Sequence, residues 1–218
     1  MLTLPGYLNQ GGHVFIDNGA FTADAMFGAA EWHRILRVYE GVADMTIHPE
    51  KLYVTAPDRV GDQAGTLALV VEYRERLNAL ISAGCRVIVP LQCGALPAAA
   101  MLARVSAVLG GSRFIAGVPS NKAAMSIEEC ATLDHPAFHI LGRVQVDEQQ
   151  RQRIAALRTL NSEASISADA NWLRSRLGAV LRGTQAVRDN PALRGCAFDH
   201  PRAAAVTRAI AVDQTWGG

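Results

Sequence analysis

Three aspartates in this sequence follow short apolar runs: Asp17 after Val14-Phe15-Ile16, Asp58 after Tyr53-Val54-Thr55-Ala56-Pro57, and Asp169 after Ile166-Ser167-Ala168. A fourth run, Arg86 to Leu91, leads into Gln92, Cys93 and Gly94, and a fifth leads into Gly117. A carboxylate at such a point is either a turn former that accepts backbone N–H groups or a reactive group on a rigid support. Carboxylates that converge raise each other's pKa. One protonated and one ionised carboxyl then make the working pair for acid catalysis and nucleophilic attack at an acetal-like carbon. A glycosidic C1′ is such a carbon. An amide at Gln92, with backbone N–H groups at Gly94 or Gly117, suits the carbonyl and ring nitrogens of a flat heterocycle. Simpler roles compete at each position. Asp58 or Asp62 can cap the helix that follows, Asp169 or Asn171 can cap a helix at Trp172, Gln92 can satisfy a loop carbonyl, and Asp17-Asn18-Gly19 can be a turn.

Positioning these groups falls to alternating strands and helices. Apolar runs predict strands at His13–Ile16, Lys51–Thr55, Arg86–Leu91, Arg113–Ala116, Phe138–Leu141 and Ala164–Ser167. Helical periodicity predicts helices at Ala23–Val42, Thr66–Ser82, Pro97–Leu109, Ser126–Leu133, Asp147–Leu160 and Asn171–Leu181, with a further one at Pro201–Ile210. Ser126-Ile127-Glu128-Glu129 is a capping-box pattern, and Gly110-Gly111 is a stop signal. Repeated βα units predict a mostly parallel sheet with right-handed crossovers. Two architectures fit: a (β/α)8 barrel, complete or reduced, and an open parallel α/β sheet. In either, reactive groups gather at the carboxyl ends of strands. A closed barrel requires further strands from residues 1–12 or from the tail. Neither GxGxxG after the first strand nor GxxxxGK[ST] is present, which argues against dinucleotide and P-loop sites.

At 218 residues, half of them hydrophobic, the chain reads as a single α/β domain over residues 1–218. The net charge of +1 excludes nothing, but 19 of the 21 basic residues are arginine, the side chain best shaped for bidentate phosphate contacts. From Arg143 onward 11 arginines face 7 acidic residues, an excess of 4 positive charges. Arg143, Arg151, Arg153, Arg174 and Arg176 are therefore candidate phosphate contacts, with a solvated helix face as the alternative. Cys85, Cys93, Cys130 and Cys196 show no zinc-binding spacing, and His13, His33, His48, His135, His139 and His200 are scattered, so no metal site is predicted. Absence of a signal-peptide pattern and of any long apolar span predicts a cytoplasmic protein with no membrane partner.

The segments FIDNGAFTA (15–23), YVTAPDRVGD (53–62), VIVPLQCG (87–94), FIAGVPSNK (114–122), HILGRV (139–144) and SADANW (167–172) together resemble the tRNA-guanine transglycosylase superfamily. The likeness is greatest to its DNA-modifying branch, the deoxypurine-in-DNA protein A type, which inserts 7-deazaguanine bases. The resemblance implies a (β/α)8 barrel and base exchange through a covalent glycosyl-aspartate, with no metal or organic cofactor. It implies Asp17 as the acid/base, Asp169 as the nucleophile, Asp58 and Gln92 as readers of the base, and Gly94 and Gly117 as sources of backbone groups beside it. The chain departs from the tRNA enzymes in lacking their CxCxxC zinc site, and Ala20 stands where their strand-end motif has a second glycine.

The leading expectation is replacement of guanine in nucleic acid, DNA before tRNA, by a free 7-deazaguanine, with room for a protein partner. A nucleoside or sugar hydrolase built on a barrel is the alternative, with water in place of the incoming base. A non-catalytic nucleic-acid-binding module is the third, and it would use the arginines without needing three carboxylates.

Overall fold

The computed structural model describes residues 3–20, 27–111, 113–120, 124–142 and 148–168. All of them fall within one compact unit, Met1–Gly142 with Asp147–Ala168. Asp169, Arg143, Arg174 and Arg176, and the helices predicted from Asn171 onward, lie outside the described residues.

Six parallel strands form one sheet: β1 (Val14–Ile16), β2 (Leu52–Thr55), β3 (Arg86–Pro90), β4 (Ile115–Pro119), β5 (Ala137–Leu141) and β6 (Ser165–Ala168). They are hydrogen-bonded in sequence order, β1 to β6, with every neighbouring pair parallel. No strand order reverses, so the chain advances the same way round the sheet at each step. In a flat sheet β1 and β5 would lie about 19 Å apart, four steps of roughly 4.8 Å. Yet the Phe15 ring on β1 stacks on the His139 ring on β5, centroid to centroid at 5.2 Å. The sheet is therefore curled into an open half-barrel.

Alternation along the strands separates its two faces. Leu52, Val54, Val87, Val89, Ala116, Val118 and Phe138 join the main core on the convex side, where they meet Trp32, Leu36, Leu77 and Met101 of the helices. The other set points to the concave side and includes Phe15, Tyr53, Thr55, Ile88, Ile115, Gly117 and His139. Ile88 and Ile115 are buried there, as inner residues of a small barrel are.

The helices are α1 (Leu4–Asn9), α2 (Ala29–Asp44), α3 (Gln63–Glu72), α4 (Arg74–Ser82), α5 (Ala98–Leu109), α6 (Ile127–Cys130) and α7 (Glu148–Leu157). The expected closed eight-stranded barrel is corrected by this arrangement: among the described residues there are six strands, and the edges β1 and β6 do not pair. Residues 4–9, one candidate source of a further strand, are helical instead. The Thr3 hydroxyl caps the helix by accepting the Gly6 N–H at 3.3 Å, and Pro5 sits in its first turn, where a missing N–H is harmless.

Smaller differences have local causes. The helix read as Thr66–Ser82 starts earlier, because the Asp62 carboxylate caps it by accepting the Gly65 N–H at 2.8 Å. It is also broken into two at Tyr73, whose backbone leaves helical geometry. The fourth strand, predicted at Arg113–Ala116, begins two residues later and ends three residues later, at Ile115–Pro119. The Ser126–Glu129 capping box is present with both of its hydrogen bonds.

Candidate active site at the carboxyl ends of β1, β2 and β3

Asp17 and Asn18 directly follow β1, Asp58 lies three residues past β2, and Gln92 lies two past β3. Parallel pairing brings these three strand ends side by side. Asn18 joins the first two: its Nδ2 donates to Asp58 Oδ1 at 2.7 Å and to the Ala56 carbonyl at 2.8 Å. Its own Oδ1 accepts the Ala20 N–H at 2.9 Å, an Asx turn. One side chain thus forms the turn and reaches the neighbouring site.

Asp58 is the centre of the cluster. Its second oxygen accepts Gln92 Nε2 at 2.8 Å, and the Gln92 Oε1 accepts the Gly61 N–H at 2.9 Å. These bonds fix which end of the Gln92 amide faces the carboxylate. Asp58 is only 5 % exposed and Gln92 only 4 %. Burial raises the Asp58 pKa above the usual carboxylate range; the Asn18 and Gln92 amides oppose that shift, and the nearby Asp17 charge adds to it. Across the strand ends, Tyr39 of α2 donates its hydroxyl to the Thr55 carbonyl at 3.1 Å. Burial first, then the Asp17 and Asp58 charges, holds the Tyr39 phenol far above the usual tyrosine range.

A raised carboxyl pKa carries a sign for stability. The Asp58 contribution is fully present below the ordinary carboxylate value and is lost as pH rises through the higher folded value. In chemical denaturation across that window, the stability difference between wild type and Asp58→Asn should therefore narrow as pH rises, because the variant has no charge to bury. A constant difference would contradict the burial of an ionising group here.

The loop after β3 is held by a second amide. Gln63 Nε2 donates to the Gln92 carbonyl at 2.9 Å and to the Leu96 carbonyl at 3.0 Å, and its Oε1 accepts the Leu96 N–H at 2.8 Å. Gly94 is glycine because Gln63 lies against it: a Cβ added there would stand 2.6 Å from the Gln63 Cβ. Gly94→Ala should displace Gln63 and lower stability by about 1–3 kcal/mol, measured by thermal or urea unfolding.

Gly117 lies within β4 on the concave side. An added Cβ there would meet Leu141 Cδ1 at 2.8 Å and the Pro90 Cα at 3.1 Å, and its carbonyl already accepts the Leu91 N–H at 2.8 Å. Close packing of the strands is a sufficient reason for this glycine.

Asp17 differs from Asp58 in being exposed. It borders a cleft of about 290 Å³ whose other walls include Asn18, Gly19 and, from α2, Arg34, Val38 and Tyr39. Arg34 is tied to Glu31 on its own helix, Nε to Oε2 at 2.9 Å.

Of the candidate phosphate contacts, Arg151 is exposed and lies 3.3 Å from Glu148. Arg153 is buried and turned inward: Nε donates to the Met125 carbonyl at 3.1 Å, and Nη1 lies 3.4 Å from Gln150 Oε1. Its guanidinium joins α7 to the chain before α6 and serves the fold.

Asn18, Gln63, Tyr39 and Thr55 were not singled out as site residues by their sequence context. Only Asn18 carried a signal, its place inside the Asp17-Asn18-Gly19 motif. Among the described residues no group of three or more His, Cys, Asp and Glu is arranged to hold a metal ion, and no helix is long and apolar enough to cross a membrane. Cys85 and Cys130 are buried thiols; burial pushes Cys85 up to about 11 and Cys130 up to about 12, so neither is a ready nucleophile. Comparison of the chain with protein-family models and with curated proteins finds no match.

Proposed function

We propose that this strand-end cluster reads the hydrogen-bonding edge of a purine-type base and that the protein acts on the N-glycosidic bond of a guanine nucleotide, exchanging the base for a 7-deazaguanine. The observation that carries this reading is the Asp58 carboxylate, clamped between the amides of Asn18 and Gln92 one strand from the exposed Asp17. Each Asp58 oxygen keeps a second lone pair, and the Gln92 amide keeps a second N–H. Asp58 is thus an oriented acceptor for the N1–H and N2–H groups of guanine, and Gln92 a donor to its O6. The order of the motifs and their likeness to transglycosylases supply the rest of the reading, including a reduced (β/α)8-type architecture.

In this mechanism the Asp169 carboxylate attacks C1′ as the C1′–N9 bond breaks, and Asp17 gives its proton to the departing guanine. The incoming base then attacks C1′ through N9 and passes its N9 proton to Asp17 as the Asp169–C1′ bond breaks. Two displacements retain the configuration at C1′. Within a DNA duplex the nucleotide must be extruded to reach the site. We propose that the reaction takes place on DNA inside the cell, where reduced thiols such as Cys85 and Cys130 persist.

A second reading, hydrolysis of the same bond, is favoured by one observation: Asp17 is open to solvent, so a water can take the place of the incoming base. Incubating the protein with labelled 7-deazaguanine and either guanine-containing DNA or tRNA separates the readings. Label entering DNA supports exchange on DNA, and label entering only tRNA moves the substrate. Release of guanine without label incorporation establishes the hydrolase. Nucleic-acid binding with neither reaction refutes both and leaves a binding module.

A further inference from the structure

The cleft beside Asp17 has a second wall, on α2, that the proposed chemistry does not use. Its volume of about 290 Å³ is at the lower end of ligand-pocket sizes. Ile16, Ile35 and the exposed Val38 give it an apolar side, and Arg34 is the one cation among the described residues that line it. The Arg34 side chain is 60 % exposed. Glu31 accepts its Nε at 2.9 Å and its Nη2 at 2.5 Å. A guanidinium carries five N–H donors. Glu31 takes the two on the Nε edge, so three remain on the Nη1–Nη2 edge, the fork that fits two oxygens of a phosphate. Arg37 follows one turn along the same stripe of α2, about 4.5 Å further down the axis. It is exposed and pairs with no described residue. The next carboxylate along the helix, Glu40, is held by Arg76 instead, Nε to Oε1 and Nη2 to Oε2 at 2.6 Å each. Gly41 continues the stripe, and a Cβ added there would meet nothing within 4 Å, so no side chain rises beside the two arginines.

We propose that Arg34 and Arg37 of α2 are a phosphate-binding pair that holds the sugar–phosphate backbone of a nucleic-acid strand along the cleft. The proposal rests on the reading of the Asp58 cluster as the base site, and Asn18 connects the two: it lines the cleft and donates to Asp58 at 2.7 Å. With the base at Asp58, the sugar lies against the apolar bank of Ile35 and Val38, and its phosphates meet the free edge of Arg34 and the unpaired Arg37. The Asp17 carboxylate on the opposite wall repels phosphate and keeps the backbone on the α2 side. A single small anion would need one of these cations; two of them a turn apart, with an apolar bank between them and the base site, suit a chain of phosphodiesters. The pair also replaces the described arginines expected from the sequence, since Arg151 faces Glu148 and Arg153 is spent on the Met125 carbonyl.

The test is the salt dependence of binding of a fluorescently labelled, guanine-containing single-stranded DNA oligonucleotide to the full-length protein, read by anisotropy without turnover. Each phosphate contact on a single strand contributes about 0.7 to the slope of log affinity against log salt. Arg34→Gln and Arg37→Gln should each lower that slope by about 0.7 and the affinity about fivefold at about 0.1 M salt, and the double variant should lose about 25-fold. Arg104→Gln on α5, a cation that does not line the cleft, should change neither. Both target side chains are exposed, so melting temperatures should stay near wild type; Arg37→Gln removes no described contact and reads the effect even if Arg34→Gln perturbs α2. An unchanged slope in the folded double variant overturns the proposal, as does a wild-type protein that does not bind the oligonucleotide. Calorimetric titration with free 7-deazaguanine separates this site from the base site. The double variant should keep wild-type affinity for the free base, and an equal loss there would overturn the proposal by showing that the arginines act through the fold. A wild-type protein that ignores the free base but shows the expected slope changes retains the phosphate site and loses the base reading alone.

Discussion

Asp58→Asn is expected to leave the sheet folded and to remove recognition of the base. Its two oxygens now accept from two amides, Asn18 Nδ2 at 2.7 Å and Gln92 Nε2 at 2.8 Å. An asparagine can accept from one of them and must turn its own NH2 toward the other. One buried donor is then unpaired, at a cost of about 1–3 kcal/mol in stability. For the base the loss is larger, because an anionic acceptor facing two N–H groups is replaced by one neutral oxygen and a donor. Each hydrogen bond to a charged group is worth about 1.5–3 kcal/mol. Affinity for guanine or 7-deazaguanine should therefore fall by at least about 100-fold, at roughly 1.4 kcal/mol per factor of ten. Calorimetric titration with the free base measures it. Wild-type affinity in a folded Asp58→Asn protein would show that the cluster only organises the loops, with Asn18 and Gln92 as its struts.

The second large effect concerns the two remaining aspartates, whose proposed roles separate in different assays. Asp169→Asn removes the nucleophile while nearly preserving shape, so both exchange and any trapped protein–nucleic-acid adduct should disappear. Asp17→Asn keeps the nucleophile and removes the proton donor. Its rate should fall by about 10²–10⁴, the usual scale of general acid–base assistance, and the fold should be unaffected because Asp17 is exposed. Peptide mapping of the adduct decides between them. Attachment at Asp17 reverses the two roles. Attachment at Asp58 means that the strand-end assignments are wrong. Full exchange by Asp169→Asn without an adduct ends the covalent mechanism for this protein.

Residue order alone was enough to find the six strands, because their apolar runs are short, bounded by Gly, Pro or Asp, and separated by helical periodicity. It was also enough to set Asp17, Asp58 and Gln92 at strand ends, since a parallel βα chain leaves each strand at the same edge of the sheet. The capping box at Ser126 and the stop at Gly110 were legible because capping chemistry is local. The curl of the sheet was not. It depends on Phe15 reaching His139 across four strand spacings, a contact between residues 124 positions apart that no periodicity encodes. The helix at residues 4–9 was hidden for a related reason: six residues are too few for a helical period, and Thr3 and Pro5 act only once the turn closes.

The site divides along the same line. Carboxylates and amides after apolar runs can be read from residue types, but how they pair is a property of space. Asn18 looks like a turn residue and is also the bridge to Asp58. Arg153 looks like a surface cation, yet it lies inside the fold with its guanidinium on the Met125 carbonyl. Thr55 looks like one more β-branched strand residue, and only the packing of α2 sets the Tyr39 hydroxyl on its carbonyl. Hydrogen-bond partners are chosen by distance and direction between strands, and those are decided when the sheet pairs and curls, not by the order of residues along any one strand.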